Sequence, residues 1–282
     1  EDIFYKYKIC EKEKIEIVIS TGGYMSFPVC LVSKILNLKL FLFEPNMVLG
    51  RSNKFFINYC EKIFCYSNEF KNFPINYKNK IIKIQTLLRK KFYNIKENYN
   101  IKDDIKLLII GGSQRAKLFD RIVKQSVIVL SKKYKIKIFQ QINHNNLDNL
   151  KEFYKENKIN NKLFHFDEDI YNFMSISNLC LTRAGASTLA ELVFLNVPHI
   201  VIPLPTAKDN HQFENALFYN QLGCNWILDQ SKINEINLGD KLINIIDNKD
   251  EFLDKKKQMK NFSYQNTWNN INLKIISTIN EN

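Results

Sequence analysis

No two of the six cysteines (Cys10, Cys30, Cys60, Cys65, Cys180 and Cys224) are spaced as CxxC, and several sit in apolar runs such as FPVCLV and NLCLT. That leaves no zinc-type spacing and predicts buried free thiols in a reducing compartment. No uninterrupted apolar stretch of about 18 residues and no signal-peptide pattern is present, so no segment is expected to span a bilayer. The GxGxxG fingerprint is missing and no acid stands about 20 residues past Gly112, which disfavours a nicotinamide enzyme. No DxD-like motif stands at a loop, and no metal or other cofactor is expected. Spacings typical of RNA-recognition, helix-turn-helix or zinc-finger modules are lacking, which argues against nucleic acid as a partner. No internal repeat stands out.

What is there is a chain of 282 residues, 45% hydrophobic and 13% aromatic, with 41 Lys+Arg against 29 Asp+Glu and a formal charge of +12. At roughly 100–200 residues per domain this length predicts two domains, each with its own core. The basic surplus is compatible with an anionic surface, with phosphate-bearing substrates, or with compositional drift, since Lys, Asn and Ile recur throughout.

Short β-branched runs alternate with helical stretches, the pattern of parallel sheets with crossover helices. Strands are expected over residues 15–19, 39–43, 62–66, 80–84, 106–110, 135–140, 162–166, 178–182, 199–202 and 225–228. Glycine-bearing turns follow three of them: Gly22-Gly23, Gly111-Gly112-Ser113 and Arg183-Ala-Gly-Ala-Ser187. Asn196 and Pro198 predict the end of the helix that begins near Thr188. A first domain boundary is expected near residue 88, and the stretch after Ser263 reads as a polar helix with one apolar side.

Glycine at a strand-to-helix turn permits positive φ or close backbone approach, and the following helix offers unpaired N–H groups to an anion. Such turns are also simply how strand–helix units are built. The second loop adds Ser187 and Thr188 at a helix start with Glu191 one turn on. A carboxylate there would accept both hydroxyls of a ribose, or would be an ordinary first-turn acid favoured by the helix dipole. His211 and Gln212, where a proline-bounded loop turns into a helix, offer imidazole and amide donors to sugar hydroxyls.

The blocks TGGYMSFP, FEPNMVLGRSNK, LLIIGGSQRA, LTRAGASTLAEL and VIPLPTAKDNHQFENA, in this order from about Ile15 to Leu228, resemble the MurG-type glycosyltransferases. That resemblance implies an α/β fold of the GT-B type, two Rossmann-like domains facing a cleft, the N-terminal one incomplete. It implies a partial acceptor-binding domain over residues 1–88, with helix 264–282 packing back on it, and a donor domain over 89–263. It further implies inverting transfer of N-acetylglucosamine (GlcNAc) from UDP-GlcNAc to the C4 hydroxyl of undecaprenyl-diphospho-MurNAc-pentapeptide. The chain would then work peripherally on an anionic membrane, at the cytoplasmic face of a bacterial inner membrane. On the matching positions, Gly111, Gly112 and Ser113 would meet diphosphate, and Ala186, Ser187 and Thr188 the sugar-diphosphate region. Glu191 would take the ribose, Arg89 the nucleotide, and His211 with Gln212 the GlcNAc hydroxyls. Gly22, Gly23, Tyr24, Ser26, Glu44 and Asn46 would line the acceptor site. Glu44 and His211 are the catalytic candidates, Glu44 serving as base only if a proton path reaches the acceptor hydroxyl.

The chain departs from the family's pattern in several places. The family opens with a further glycine-rich, histidine-bearing loop that does not precede Thr21, and the first residue is Glu rather than Met. A chain truncated at its N-terminus is therefore expected. Arg115 stands where the family has Gly, either adding a phosphate contact or blocking the loop. Phe43 replaces a histidine, and Gln85-Thr-Leu replaces Gly-Asn-Pro before Arg89. Two other readings remain compatible with the sequence: a different UDP-sugar enzyme of the same fold, such as a diacylglycerol glycosyltransferase or a UDP-GlcNAc epimerase, or a non-catalytic basic binding module.

Overall fold

A computed structural model describes residues 2–95, 104–111, 117–142, 146–165, 170–235 and 237–282. The chain divides into two compact units. The first comprises residues 1–87, 208–215 and 265–282, and the second residues 88–207 and 216–264. The segment Lys208–Asn215, which the sequence places in the donor half, is thus grouped with the first unit.

The first unit is built on a parallel sheet of four strands in the order β1 (Ile17–Ser20), β2 (Lys39–Glu44), β3 (Ile63–Cys65) and β4 (Ile81–Lys83). Ile17 aligns with Lys39, Leu42 with Ile63, and Ile63 with Ile81. Helix α1 (Asp2–Lys12) precedes β1, α2 (Phe27–Ile35) joins β1 to β2, and α3 (Arg51–Phe56) joins β2 to β3. Pro28 sits in the first turn of α2, where its missing N–H costs nothing, and Asn37 ends the connection with φ 53°. Leu40, Phe41 and Leu42 of β2 are all buried, as a strand covered on both faces requires. Cys30, Phe56, Ile63 and Cys65 complete that core.

In the second unit six parallel strands run in the order β10-β9-β8-β5-β6-β7. These are β5 (Asp104–Ile110), β6 (Lys135–Gln141), β7 (Asn160–Phe164), β8 (Leu179–Thr182), β9 (His199–Val201) and β10 (Asn225–Ile227). In chain order this is 3-2-1-4-5-6, the doubly wound arrangement, with its switch point between β5 and β8. Helices α4 (Lys117–Ser131), α5 (Leu147–Glu156), α6 (Ile170–Ile176) and α7 (Ala186–Phe194) cross between strands. Helix α8 (His211–Gln221) follows β9; α9 (Asn237–Asp247) and α10 (Lys249–Ser263) follow β10. The core gathers Leu107, Ile109, Phe119, Val127, Leu150 and Leu238, each worth about 1.5–3 kcal/mol on burial. Asn196, with φ 56°, stops α7 as the sequence predicts.

The chain passes from the first unit to the second at Leu87–Leu88, and just beyond that point Phe92 is fully buried, its ring centroid 5.9 Å from that of Tyr171. The strand predicted at 162–166 begins and ends two residues earlier. The terminal helix α11 (Trp268–Glu281) belongs to the first unit, and Asn266 just before it donates to the Thr86 hydroxyl at 2.7 Å. All six cysteines are free and buried. Among the described residues no helix is long and apolar enough to cross a membrane.

Candidate active site

In the second unit the loops after β5 and β8 leave the carboxyl ends of adjacent strands at the switch point, where open α/β sheets bind ligands. Gly111 is buried directly after β5; Gly112, Ser113 and Arg115 lie outside the described residues. Helix α7 starts at Ala186 behind Gly185 with no side-chain cap, so the N–H groups of Ala186, Ser187 and Thr188 stand at an uncapped, positively polarised helix end. Glu191, one turn on, is only 7% exposed. Arg89 meets it through Nε and Nη2, both 3.2 Å from Oε1, which leaves Oε2 for another donor. Burial raises the Glu191 carboxyl pKa and the guanidinium of Arg89 works against that rise. Arg89 in turn lies 5.1 Å from the Phe92 ring centroid.

Sequence reasoning missed Arg183. Its buried guanidinium donates through Nη1 to the carbonyls of Ile202 and Pro203 at 2.9 and 3.4 Å and to Gln230 Oε1 at 2.8 Å. It therefore ties the loop after β8 to the chain after β9. The signal was present: an arginine ending the apolar run LCLT has to find acceptors.

A cavity of about 730 Å³ opens in the first unit, lined by Thr21, Gly22, Gly23, Tyr24, Phe27, Glu44, Asn46, Val48, Leu49, Gly50, Arg51, Ser52, Phe55, Lys208, Asp209 and His211. It brings five of the six expected acceptor residues together with the donor-side candidate His211. Ser26 is not among its walls; its hydroxyl donates to the Gly23 carbonyl at 2.9 Å. Gln212 is buried and also stands outside the lining. Gly22 and Gly23 take φ 75° and 83°, and a Cβ on Gly22 would stand 3.0 Å from Asn53 Nδ2.

Glu44 is 2% exposed. Its Oε1 accepts from the Asn46 backbone and Nδ2 at 3.1 and 3.0 Å, and its Oε2 from the Gly50 backbone and Asn53 Nδ2 at 2.8 and 2.9 Å. Four donors on one carboxylate bind the loop after β2 into a fixed turn. His211 behaves differently: its Nδ1 donates to the Lys208 carbonyl at 2.7 Å, which leaves Nε2 as the ring's lone-pair acceptor. Among the described residues no group of three or more His, Cys, Asp or Glu is arranged to hold a metal ion.

One unit is doubly wound and carries an uncapped helix end with a buried acid, the other is a smaller parallel unit with a cavity of its own; each is the kind of unit nucleotide-sugar transferases are built from, and the chain belongs to glycosyltransferase family 28. Residues 106–269 match that family's C-terminal domain and residues 2–65 its N-terminal domain. The UDP-N-acetylglucosamine--N-acetylmuramyl-(pentapeptide) pyrophosphoryl-undecaprenol N-acetylglucosamine transferase of Pelagibacter ubique is 62% identical over 280 residues, covering 99% of this chain and 79% of that protein. The protein of the same name from Rickettsia canadensis is 33% identical, covering 83% and 68%. The crystal structure of Acinetobacter baumannii MurG superposes with a TM-score of 0.72 at 22% identity, covering 92% of this chain and 74% of that one. A UDP co-structure of S. aureus MnaA follows at 0.67 and 14%, covering 92% and 74%.

Proposed function

We propose that this chain transfers GlcNAc from UDP-GlcNAc to the C4 hydroxyl of undecaprenyl-diphospho-MurNAc-pentapeptide, converting lipid I to lipid II for peptidoglycan synthesis. The observation that carries this reading is the 62% identity to the Pelagibacter transferase along nearly the whole chain. Through that product the chain serves wall growth, cell shape and division. The acceptor oxygen forms its bond to the anomeric carbon as the bond to UDP breaks, with inversion. The hydroxyl proton passes to His211 Nε2, and the released electron pair stays on the leaving diphosphate. The N–H groups at the start of α7 would meet that growing negative charge, and the resemblance adds Gly111, Gly112 and Ser113 to the same role. Glu191 Oε2 takes the ribose, Arg89 the nucleotide, and Gln212 supports the sugar. Tyr24, Asn46 and the Gly22-Gly23 turn receive the acceptor. Glu44 is assigned to holding the acceptor loop rather than to proton removal, because both its oxygens are already engaged.

A membrane surface fits the same reading. Helix α1 exposes Phe4 and Tyr5 at 63% and 61%, with Lys8 Nζ 4.5 Å from the Phe4 ring and Lys6 Nζ 5.8 Å from that of Tyr5. Aromatics among lysines suit the headgroup layer of an anionic bilayer, here the cytoplasmic face of the inner membrane. The test is incubation with labelled UDP-GlcNAc and either lipid I or diacylglycerol. Label is expected on lipid I alone; label on diacylglycerol would assign a different transferase. In the same preparation Glu191→Ala is expected to weaken UDP binding about ten- to a hundredfold by calorimetry, the worth of one or two charge-assisted hydrogen bonds. An unchanged affinity would remove Glu191 from the nucleotide site.

A further inference from the structure

Ahead of α8 the backbone takes two successive left-handed residues, Asp209 (φ 53°) and Asn210 (φ 56°). Residues with a Cβ adopt this conformation in succession only where the surroundings over-determine it. Here the surroundings are a set of contacts between Lys208–Asn215 and the stretch from Asn46 to Lys71, all within the first unit. Lys71 Nζ lies 2.7 Å from Glu214 Oε1, with the Glu214 side chain only 10% exposed. Arg51 meets Asp209 side-on, Nε to Oδ2 at 3.3 Å and Nη2 to Oδ1 at 3.5 Å. Asn215 accepts from the Met47 backbone at 2.8 Å and donates to Asn46 Oδ1 at 3.1 Å. Lys71 is itself fixed by a parallel bridge to Val48.

We propose that Lys71, and to a lesser degree Arg51, are positioning residues for sugar transfer: their ion pairs with Glu214 and Asp209 clamp the segment Lys208–Asn215 so that His211 stands in the wall of the cavity beside Glu44 and Asn46. The inference rests on the transfer reading above. The ranking follows from solvent. Glu214 is nearly buried, so losing its cation leaves a desolvated charge unpaired, whereas Arg51 and Asp209 have side chains 75% and 48% exposed and solvent screens their attraction. Lys71 does not line the cavity, so its effect reaches the substrate through the segment it holds.

Three measurements on the full chain decide the matter: amide hydrogen exchange over residues 208–215, kcat with UDP-GlcNAc and lipid I, and UDP affinity by calorimetry. Lys71→Ala is expected to speed exchange across that segment about tenfold and to lower kcat about tenfold, with UDP affinity kept within about twofold. Lys71→Arg, which keeps the cation, is expected to recover most of both losses, and Arg51→Ala to lower kcat about two- to threefold. Unchanged exchange or unchanged kcat in Lys71→Ala overturns the proposal. So does a parallel loss of UDP affinity, which marks general unfolding, or an arginine variant no better than alanine. A wild-type chain that moves no label onto lipid I fails the transfer reading by itself, and the exchange measurement then still decides whether the clamp exists.

Discussion

His199 is fully buried on β9, with Nδ1 held 2.9 Å from the Val197 carbonyl and Nε2 without a partner among the described residues. Burial pushes its pKa down from the ordinary 6.5 to about 4. Between these values the unfolded chain binds the proton and the folded chain does not. Stability is therefore whole above pH 6.5 and falls as pH drops toward 4, by on the order of 3 kcal/mol in full. His199→Leu is expected to flatten that part of a urea-denaturation profile taken at several pH values; an unaltered slope would assign the acid sensitivity elsewhere. Glu191 carries the opposite charge logic. Because burial raises its pKa, acidification protonates it early, and on the proposed ribose contact UDP affinity is expected to fall as pH drops through that raised value. Replacing Arg89 by Met is expected to move this fall to higher pH, read by calorimetry across a pH series.

At the scale of the element, the loop between β2 and α3 is organised by a single carboxylate. A Cβ on Gly50 would stand 3.0 Å from Glu44 Oε2, the oxygen that the Gly50 N–H now occupies. Gly50→Ala is therefore expected to displace Glu44 and lower kcat/KM for the lipid acceptor about tenfold while leaving KM for UDP-GlcNAc unchanged. Gly23→Ala is the contrasting case: no atom lies within 4 Å of the added carbon, and the stability cost comes from its glycine-favouring backbone (φ 83°, ψ 171°), about 1–3 kcal/mol. Strands were legible from sequence because β-branched runs bounded by turn residues signal them locally, and each expected run holds one. The hydrogen bonding of Glu44 was not, although its partners lie only two, six and nine residues away. An acid's spacing in sequence does not say which backbone and amide N–H groups the fold will turn toward it.

For the whole molecule, the segment Lys208–Asn215 shows where sequence reading runs out. Its affiliation rests on contacts such as Asn46 with Asn215, 169 positions apart, which no periodicity announces. The family resemblance assigns His211 to the sugar as an expectation, and only the fold brings it into the same cavity wall as Glu44. The +12 charge gains a local meaning on α1, where lysines flank exposed Phe4 and Tyr5. Replacing both aromatics by Ser is expected to reduce sedimentation with anionic vesicles at least tenfold, and raising the salt to weaken the remainder. Binding that survives both changes would remove α1 as the proposed membrane-facing element.

The six buried thiols carry a practical consequence. Cys30, Cys60 and Cys65 lie in the core of the first unit, Cys180 and Cys224 in those of the second. Burial lifts the pKa of Cys60 to about 11 and of Cys224 to about 12, so neither is a ready nucleophile while its unit stays closed. An alkylating pulse followed by peptide mapping of Cys60 and Cys224 would thus time the opening of each half separately, with no engineered probe.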